Sequence, residues 1–421
     1  MHPSLRNWAG NQVFSFASKV EATTTAELLA AMTGTAPVKA LGTRHSFNTI
    51  ADSSGTMIAL APSRSTIHLD HRARTVTVSG GSRYGDVGAV LDAQGWALPN
   101  LASLPHISIA GACATGTHGS GTTNPILASS VTAIELVTAN GEVRRFSRSG
   151  DPDLFAGLVV NLGALGIVTS LTLDVVPAFA VRQHVYEHLP LDAVRSNFDE
   201  IMSSAYSVSL FTDWRVPEFT SVWRKVRVGD PDRPNSTLPF FGAQPASEHR
   251  HPLPGLDAFP CTPQLGDPGP AYERLPHFRM AFTPSSGDEL QSEYLIPREC
   301  AVEAIDALWS WHERIAALVR VSEVRTVAAD TFWLSPAHGR DSVALHFTWK
   351  PDWASVRELL PDIEDALAPF DPRPHWGKLF TMAAAEVRRG YPQLPRFIEL
   401  SRQLDPSGRF RNAFLDEFVF G

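Results

Sequence analysis

The order of apolar and polar positions changes character once along this chain, near residue 179. Before that point, strand-like and helix-like segments follow one another. Residues 25–32 read as a helix with threonine at its start, where a side-chain oxygen can take a free backbone N–H. Residues 37–41 read as a strand running into a loop around His45, and residues 75–78 alternate with the two-residue period of a strand. Residues 84–94 have helical spacing, and Gly95 suits a helix stop because it tolerates a left-handed backbone. Residues 131–138 and 142–146 flank Asn140 and Gly141, a pair that favours a tight hairpin turn. Residues 153–162 look helical and 167–176 strand-like. The mixture lacks a strict strand–helix–strand rhythm, which predicts an α+β fold.

After residue 179, short alternating strands recur at 208–211, 323–327 and 343–349, with helical stretches near 298–319 and 353–367. Residues 231–270 contain ten prolines, which predicts no regular structure there. Phe240, Phe241 and Phe259 supply apolar anchors, so that stretch reads as an ordered irregular excursion rather than a disordered linker. The tail 391–421 carries a helix pattern and then a turn-rich run from Asp405 to Phe410.

Composition narrows the function classes. A chain of 421 residues can hold two lobes and a sizeable core. A net charge of −8 argues against nucleic-acid partners, which need a basic surface. No apolar run approaches the roughly 20 residues that span a bilayer. The first residues lack an apolar leader core. The expectation is a cytoplasmic monomer with neither a membrane nor a nucleic-acid partner. Cys113, Cys261 and Cys300 are too few and too far apart to suggest a disulfide framework or a zinc site, and no metal is expected.

Candidate chemistry lies in both halves. Gly111, Gly116, Gly119 and Gly121 let a backbone approach a ligand and aim successive N–H groups at it. The run fits neither the dinucleotide fingerprint nor a Walker loop, so it reads equally as a plain glycine-rich loop. Cys113, inside that run, reads as a small buried residue or as a second attachment point for a ligand. Glu323 and Arg325 share one strand face, with Val324 opposite. His346 and Thr348 repeat the arrangement, with Leu345 and Phe347 opposite. Two such polar pairs either sit in solvent or line one pocket. Lys378, among Trp376, Gly377 and Phe380, reads as an exposed lysine or a partly buried charge.

Three N-terminal stretches carry a family resemblance: GTRHSFN at 42–48, ALPNLASLPHISIAGACATGTHGSG at 97–121 and LGALGIVTSLTLDV at 162–175. Further stretches are YSVSLFTDW at 206–214, HFRMAFTPSSGDELQSEYL at 277–295, VRTVAADTFWLSPA at 324–337, HFTW at 346–349 and RPHWGKLF at 373–380. On these the chain resembles the alditol-oxidase branch of the vanillyl-alcohol oxidase flavoproteins over nearly its whole length. The resemblance implies a two-lobed α+β fold. Residues 1–178 and 386–421 would form an FAD-binding domain, and 179–385 a substrate domain on an antiparallel sheet. It implies FAD bonded covalently through His45. The other cofactor positions would be Thr43, Arg44, Ser46, Ser103, His106, Gly111, Ala114, Thr115, Gly116, His118, Gly119, Ser120, Gly166, Ile167 and His375. Ser103, Glu323, Arg325, Thr348 and Lys378 fall at substrate positions, with His346 beside them. Arg325, Lys378 and His346 would be catalytic, and either Lys378 or His346 would take the hydroxyl proton.

The implied reaction oxidises the terminal C1 hydroxyl of a polyol such as xylitol or sorbitol. The product is an aldose, and O2 is reduced to H2O2. Ala102, before Ser103, is small enough to let O2 approach. The rival reading within the family is a sugar-1,4-lactone oxidase or dehydrogenase. A non-catalytic carbohydrate-binding protein is the rival from another class, and it would carry no flavin.

Overall fold

The computed structural model describes residues 4–61, 66–230, 238–282 and 289–421. Among the described residues its first part holds two larger sheets and one two-stranded pairing. The strands Ser18–Ala22, Thr56–Leu60 and Val38–Ala40 form a small parallel sheet, with Thr56–Leu60 in the middle. A five-stranded antiparallel sheet runs in the order His68–Asp70, Thr75–Ser79, Ile167–Asp174, Val131–Val137 and Val143–Ser147. The expected hairpin forms, with Gly141 at φ 83° in its turn. The helix Thr25–Ala31 starts where the Thr24 side chain accepts from the Glu27 N–H. The helix expected at 153–162 spans Pro152–Leu158, and the chain beyond it turns through left-handed φ values at Leu162 and Gly163. The strand expected at 167–176 stops at Asp174, and Val176–Pro177 instead pairs with Trp96–Ala97.

The second part is one nine-stranded sheet, antiparallel at every named pairing. At its centre the strands Ser207–Thr212, Val319–Val327, Ser342–Trp349 and Leu290–Pro297 lie side by side. The helices Leu191–Met202, Ala301–Trp309 and Trp353–Leu367 cover one face, packing Val194, Ile305 and Leu360 onto Val324, Leu345 and Phe347. The other face turns toward the first part of the chain. The helical stretch expected at 298–319 divides at Ser310 and Trp311, whose N–H groups turn back to Ala307 and Leu308.

The proline-rich stretch needs correction. Regular structure is present: Gln244–Pro245 and Gly269–Pro270 each pair with Ala180–Pro190. Phe240 is fully buried under the Arg224 guanidinium, but Phe259 is 61% exposed and anchors nothing in the core. Residues 231–237 of that stretch, and 283–288 of the stretch quoted at 277–295, lie outside the described residues. The tail folds back onto the first part. Arg409 donates to the carbonyls of Met32, Ala36 and Ala139, and Asn412 to those of Thr49, Ile50 and Asp52. Among the described residues no helix is long and apolar enough to cross a membrane.

Candidate active site

A cavity of about 300 Å³ runs between the N-terminal sheets and the open face of the large sheet. Strand geometry explains its polar end. Glu323, His346 and Glu293 stand directly opposite one another on three neighbouring strands. The next row is Val321, Thr348 and Gln291. Alternation along each strand sends these residues to the cavity and Val324, Leu345, Phe347 and Tyr294 to the helix-covered core. Glu323, Arg325, His346 and Thr348 are each at most 7% exposed, so a solvated surface is excluded for both pairs.

Glu293, which sequence reasoning missed, is the hub. Its Oε2 lies 2.5 Å from Lys378 Nζ, and its Oε1 lies 2.9 Å from His118 Nε2 and 3.3 Å from an Arg325 nitrogen. Burial works to raise its pKa, but the Lys378 ammonium and His118 hold it well below the usual carboxylate range. Glu323 behaves alike: Arg325 and His277 overcome burial and keep it ionised. Burial lowers the pKa of Lys378, and Glu293 opposes that shift. Lys378 Nζ is 2.8 Å from His346 Nδ1, and His346 Nε2 is 3.1 Å from Thr348 Oγ1. Burial and the neighbouring Lys378 hold His346 down at about 4, so its ring is neutral near pH 7. Arg325 donates to Ser103 Oγ at 3.2 Å. A usable signal for Glu293 existed: Gln291 and Glu293 repeat the i, i+2 polar pairing inside the apolar strand Leu290–Pro297.

The His45 loop is stapled to the same end. The strand Val38–Ala40 feeds it, and Arg44 takes a left-handed φ of 64° at its turn. The Phe47 N–H donates to the Gly377 carbonyl, while Asn48 donates to the carbonyls of Trp376 and Lys378. The His45 ring stacks on Trp8 with centroids 5.3 Å apart. Its Nδ1 is 3.0 Å from Thr43 Oγ1, whereas the shielded Nε2 has no hydrogen-bond partner. Burial, followed by the nearby His106, lowers His45 to about 4. A neutral ring with one unpartnered nitrogen at the cavity wall is what attachment to a flavin requires.

The structure does not gather every expected residue. Thr43, Arg44, His45, Ser46, Ser103, Gly111, Ala114, Thr115, His118, Gly166 and His375 line the cavity, together with all five substrate positions and His346. His106, Gly116, Gly119, Ser120 and Ile167 do not. A Cβ on Gly116 would strike Pro336, and on Gly119 would strike Asn100 and the Leu101 carbonyl. Gly121 packs against Asn124 and the Tyr206 carbonyl. These glycines therefore let chain segments pack closely rather than opening the backbone to a ligand. Ser120 Oγ donates to the Val208 carbonyl, and His106 faces the Met280 carbonyl. Cys113 is buried off the cavity, 3.6 Å from Tyr84 Oη, and burial pushes its thiol up to about 12. It is a packing residue, which closes the alternative of a second attachment.

The wall leading away from the polar end is built of small residues: Gly42, Gly80, Gly81, Ala110, Gly111, Ala112 and Gly163. Such a wall leaves room for an extended ligand to lie close against the backbone, which fits a dinucleotide such as FAD, although the N–H groups of Gly80, Gly81, Ala112 and Gly163 are already donated within the protein. Lys39 closes that end, buried, with Nζ donating to the carbonyls of Leu162, Gly163 and Phe410.

The chain is similar to known proteins along its whole length. Residues 17–147 match the FAD binding domain family, and residues 287–418 match the D-arabinono-1,4-lactone oxidase family. The chain is 49% identical over 425 residues to an alditol oxidase from a Streptomyces species, covering 100% of both chains. It is 29% identical to an L-gulono-1,4-lactone dehydrogenase of Mycobacterium tuberculosis, covering 98% of both. A cholesterol oxidase from B. sterolicum shares the fold, with TM-score 0.77 at 16% identity over 99% of this chain and 96% of that one. By its FAD-binding segment and its full-length similarity, this chain belongs to the alditol-oxidase family of FAD-dependent flavoproteins.

Proposed function

We propose that the protein oxidises the terminal C1 hydroxyl of linear alditols such as xylitol and sorbitol to the aldose, with O2 reduced to H2O2. FAD, when bound, supplies the hydride acceptor and passes the electrons on. The observation that carries this reading is the polar cavity end, where Ser103, Glu293, Glu323, Arg325, His346, Thr348 and Lys378 converge. A polyol has one hydroxyl per carbon and little apolar surface, so it needs such a wall. Arg325 and Lys378 bring positive charge to the place where an alkoxide develops. The neutral His346 takes up the hydroxyl proton, Lys378 stays an ammonium 2.8 Å from its Nδ1, and Glu293 balances the charge that forms. Ser103, Glu323 and Thr348 accept or donate to the remaining hydroxyls. Ala102 keeps the adjoining wall small enough for O2.

In this reading His45 bonds the flavin, and the small-residue wall with Thr43, Ser46 and Thr115 holds the rest of FAD. Residues 1–178 and 386–421 make up the flavin-binding domain, and 179–385 the substrate domain. The monomer expected from the sequence is kept as part of this reading. Three free cysteines suit a reducing cytoplasm.

The test is kcat/KM by a coupled peroxide assay for xylitol, sorbitol, glycerol, butanol and gulonolactone. Xylitol and sorbitol should lead, glycerol should be poor and butanol nearly inert. Each missing hydroxyl leaves a buried partner unpaired, at roughly 1–3 kcal/mol. A preference for gulonolactone would replace the alditol reading with the lactone one. Slow reoxidation of the reduced enzyme in air would make it a dehydrogenase.

A further inference from the structure

Behind Glu323 lies a buried chain of polar groups that the reaction above does not use. His277 Nε2 is 2.8 Å from Glu323 Oε1, and His277 Nδ1 is 2.9 Å from Lys225 Nζ. Lys225 also donates to the Leu275 carbonyl. The three side chains are 1%, 4% and 5% exposed for Lys225, His277 and Glu323 respectively. They arrive from separate parts of the fold: Lys225 from the strand Glu218–Arg227, Glu323 from Val319–Val327, and His277 from the loop after the short helix Ala271–Arg274. The His277 ring meets Phe211 and Trp223 edge-on, at 5.6 and 5.1 Å. Its backbone N–H donates to the Ser103 carbonyl at 3.0 Å. The ring is therefore clamped, and the clamp touches another substrate position.

The proton arrangement follows from the partners. Burial and the adjacent Lys225 hold His277 at about 4, so the imidazole is neutral. Lys225 donates to Nδ1, so the single ring proton sits on Nε2 and is donated to Glu323 Oε1. Arg325 Nε stands 3.5 Å from that same oxygen. Both contacts fall on Oε1, which leaves Oε2 to accept from a ligand in the cavity that Glu323 lines.

The geometry points to His277, held by Lys225, as a positioning residue that sets specificity by fixing Glu323 as an acceptor for one particular hydroxyl of a linear polyol. This rests on the alditol reading above. A carboxylate pinned by one oxygen cannot turn to serve a hydroxyl elsewhere along the chain. A substrate without that hydroxyl leaves Oε2 desolvated and unpaired, the arrangement that rejects deoxy analogues most strongly. The effect belongs in KM and in discrimination, because His277 and Lys225 act through Glu323 and are not among the groups that take the proton or face the alkoxide.

The experiment compares FAD-loaded wild type, His277→Gln, His277→Phe and Lys225→Met. Glutamine places an amide N–H near the Nε2 position, whereas phenylalanine keeps the ring packing and removes both hydrogen bonds. His277→Phe should raise KM for xylitol about 10- to 100-fold, the loss of one oriented hydrogen bond. Its kcat and its flavin absorbance per protein should stay close to wild type. Its preference for xylitol over a monodeoxy pentitol should fall by a similar factor. His277→Gln should recover most of both, and Lys225→Met should resemble His277→Phe more mildly if the aromatic variant misfolds. Unchanged discrimination, equal losses in kcat and kcat/KM, or a glutamine variant no better than phenylalanine would overturn the proposal. Crystal structures separate the two readings: Glu323 should turn in His277→Phe and stay put in His277→Gln. An unmoved Glu323 overturns the positioning role. A wild type that oxidises no polyol overturns the functional reading while leaving the crystallographic answer standing.

Discussion

At the scale of single residues, burial sets the chemistry more than residue type does. His45 and His346 are ordinary side chains that burial holds as neutral rings near pH 7. His45 becomes a neutral ring with Nε2 unpartnered, held by Thr43 and stacked on Trp8. His45→Ala should therefore yield protein whose FAD is released entirely by acid precipitation, while wild type keeps its yellow colour in the pellet. Complete release of FAD from the wild type would sink the covalent assignment. Glu293 teaches the reverse lesson. Its pairing with Gln291 marks a polar strand face in the sequence, but only its partners Lys378, His118 and Arg325 reveal it as the hub.

At the scale of elements, the site is a consequence of two-residue alternation on paired strands. Ser342–Trp349 sends His346 and Thr348 to the cavity and Leu345, Phe347 and Trp349 to the core. Phe347 stacks on Trp349 at 4.9 Å and lies nearly parallel to Trp214. Phe347→Ala should cost about 3–5 kcal/mol of stability, as large-to-small changes in a packed core do. It should also raise KM for xylitol, because His346 and Thr348 flank the void. Urea unfolding midpoints and steady-state kinetics check both effects. A destabilised variant with an unaltered KM would mean that the strand holds its cavity face independently of its core face.

At the scale of the whole molecule, buried histidines tie stability to pH. His277 and His346 are held at about 4 and His375 at about 3, burial being the first cause in each case. In the unfolded chain they would titrate near 6.5. Between those values the unfolded state binds more protons than the folded state, so stability rises with pH there and is lost as pH falls from about 6.5 toward 4. Each histidine contributes up to about 1.4 kcal/mol per pH unit in that window. The urea midpoint should drop steeply between pH 6.5 and 4.5, and His375→Gln should flatten that drop. A midpoint constant over this range would show that these rings are charged in the fold.

Local pattern alone was enough for the elements whose signals are local. Alternation identified the strands at 323–327 and 343–349 and put Glu323 with Arg325, and His346 with Thr348, on shared faces, but it did not find the third cavity strand, Leu290–Pro297. Asn140 and Gly141 marked the hairpin, and a threonine marked the start of the helix at residue 25, which Thr24 caps in the structure. Tertiary structure decided which glycines meet a cavity and which admit a neighbouring chain, since a glycine looks the same in both roles. It also decided that the proline-rich stretch adds short strands to a sheet edge, where missing N–H groups matter least. Above all, it brought Glu293, His118, Lys378, His277 and Lys225 together from segments far apart in the chain. Hydrophobic periodicity records which face of a strand is buried. It carries no record of which distant charge that face will meet, because the partner is chosen by the way the sheets and loops pack.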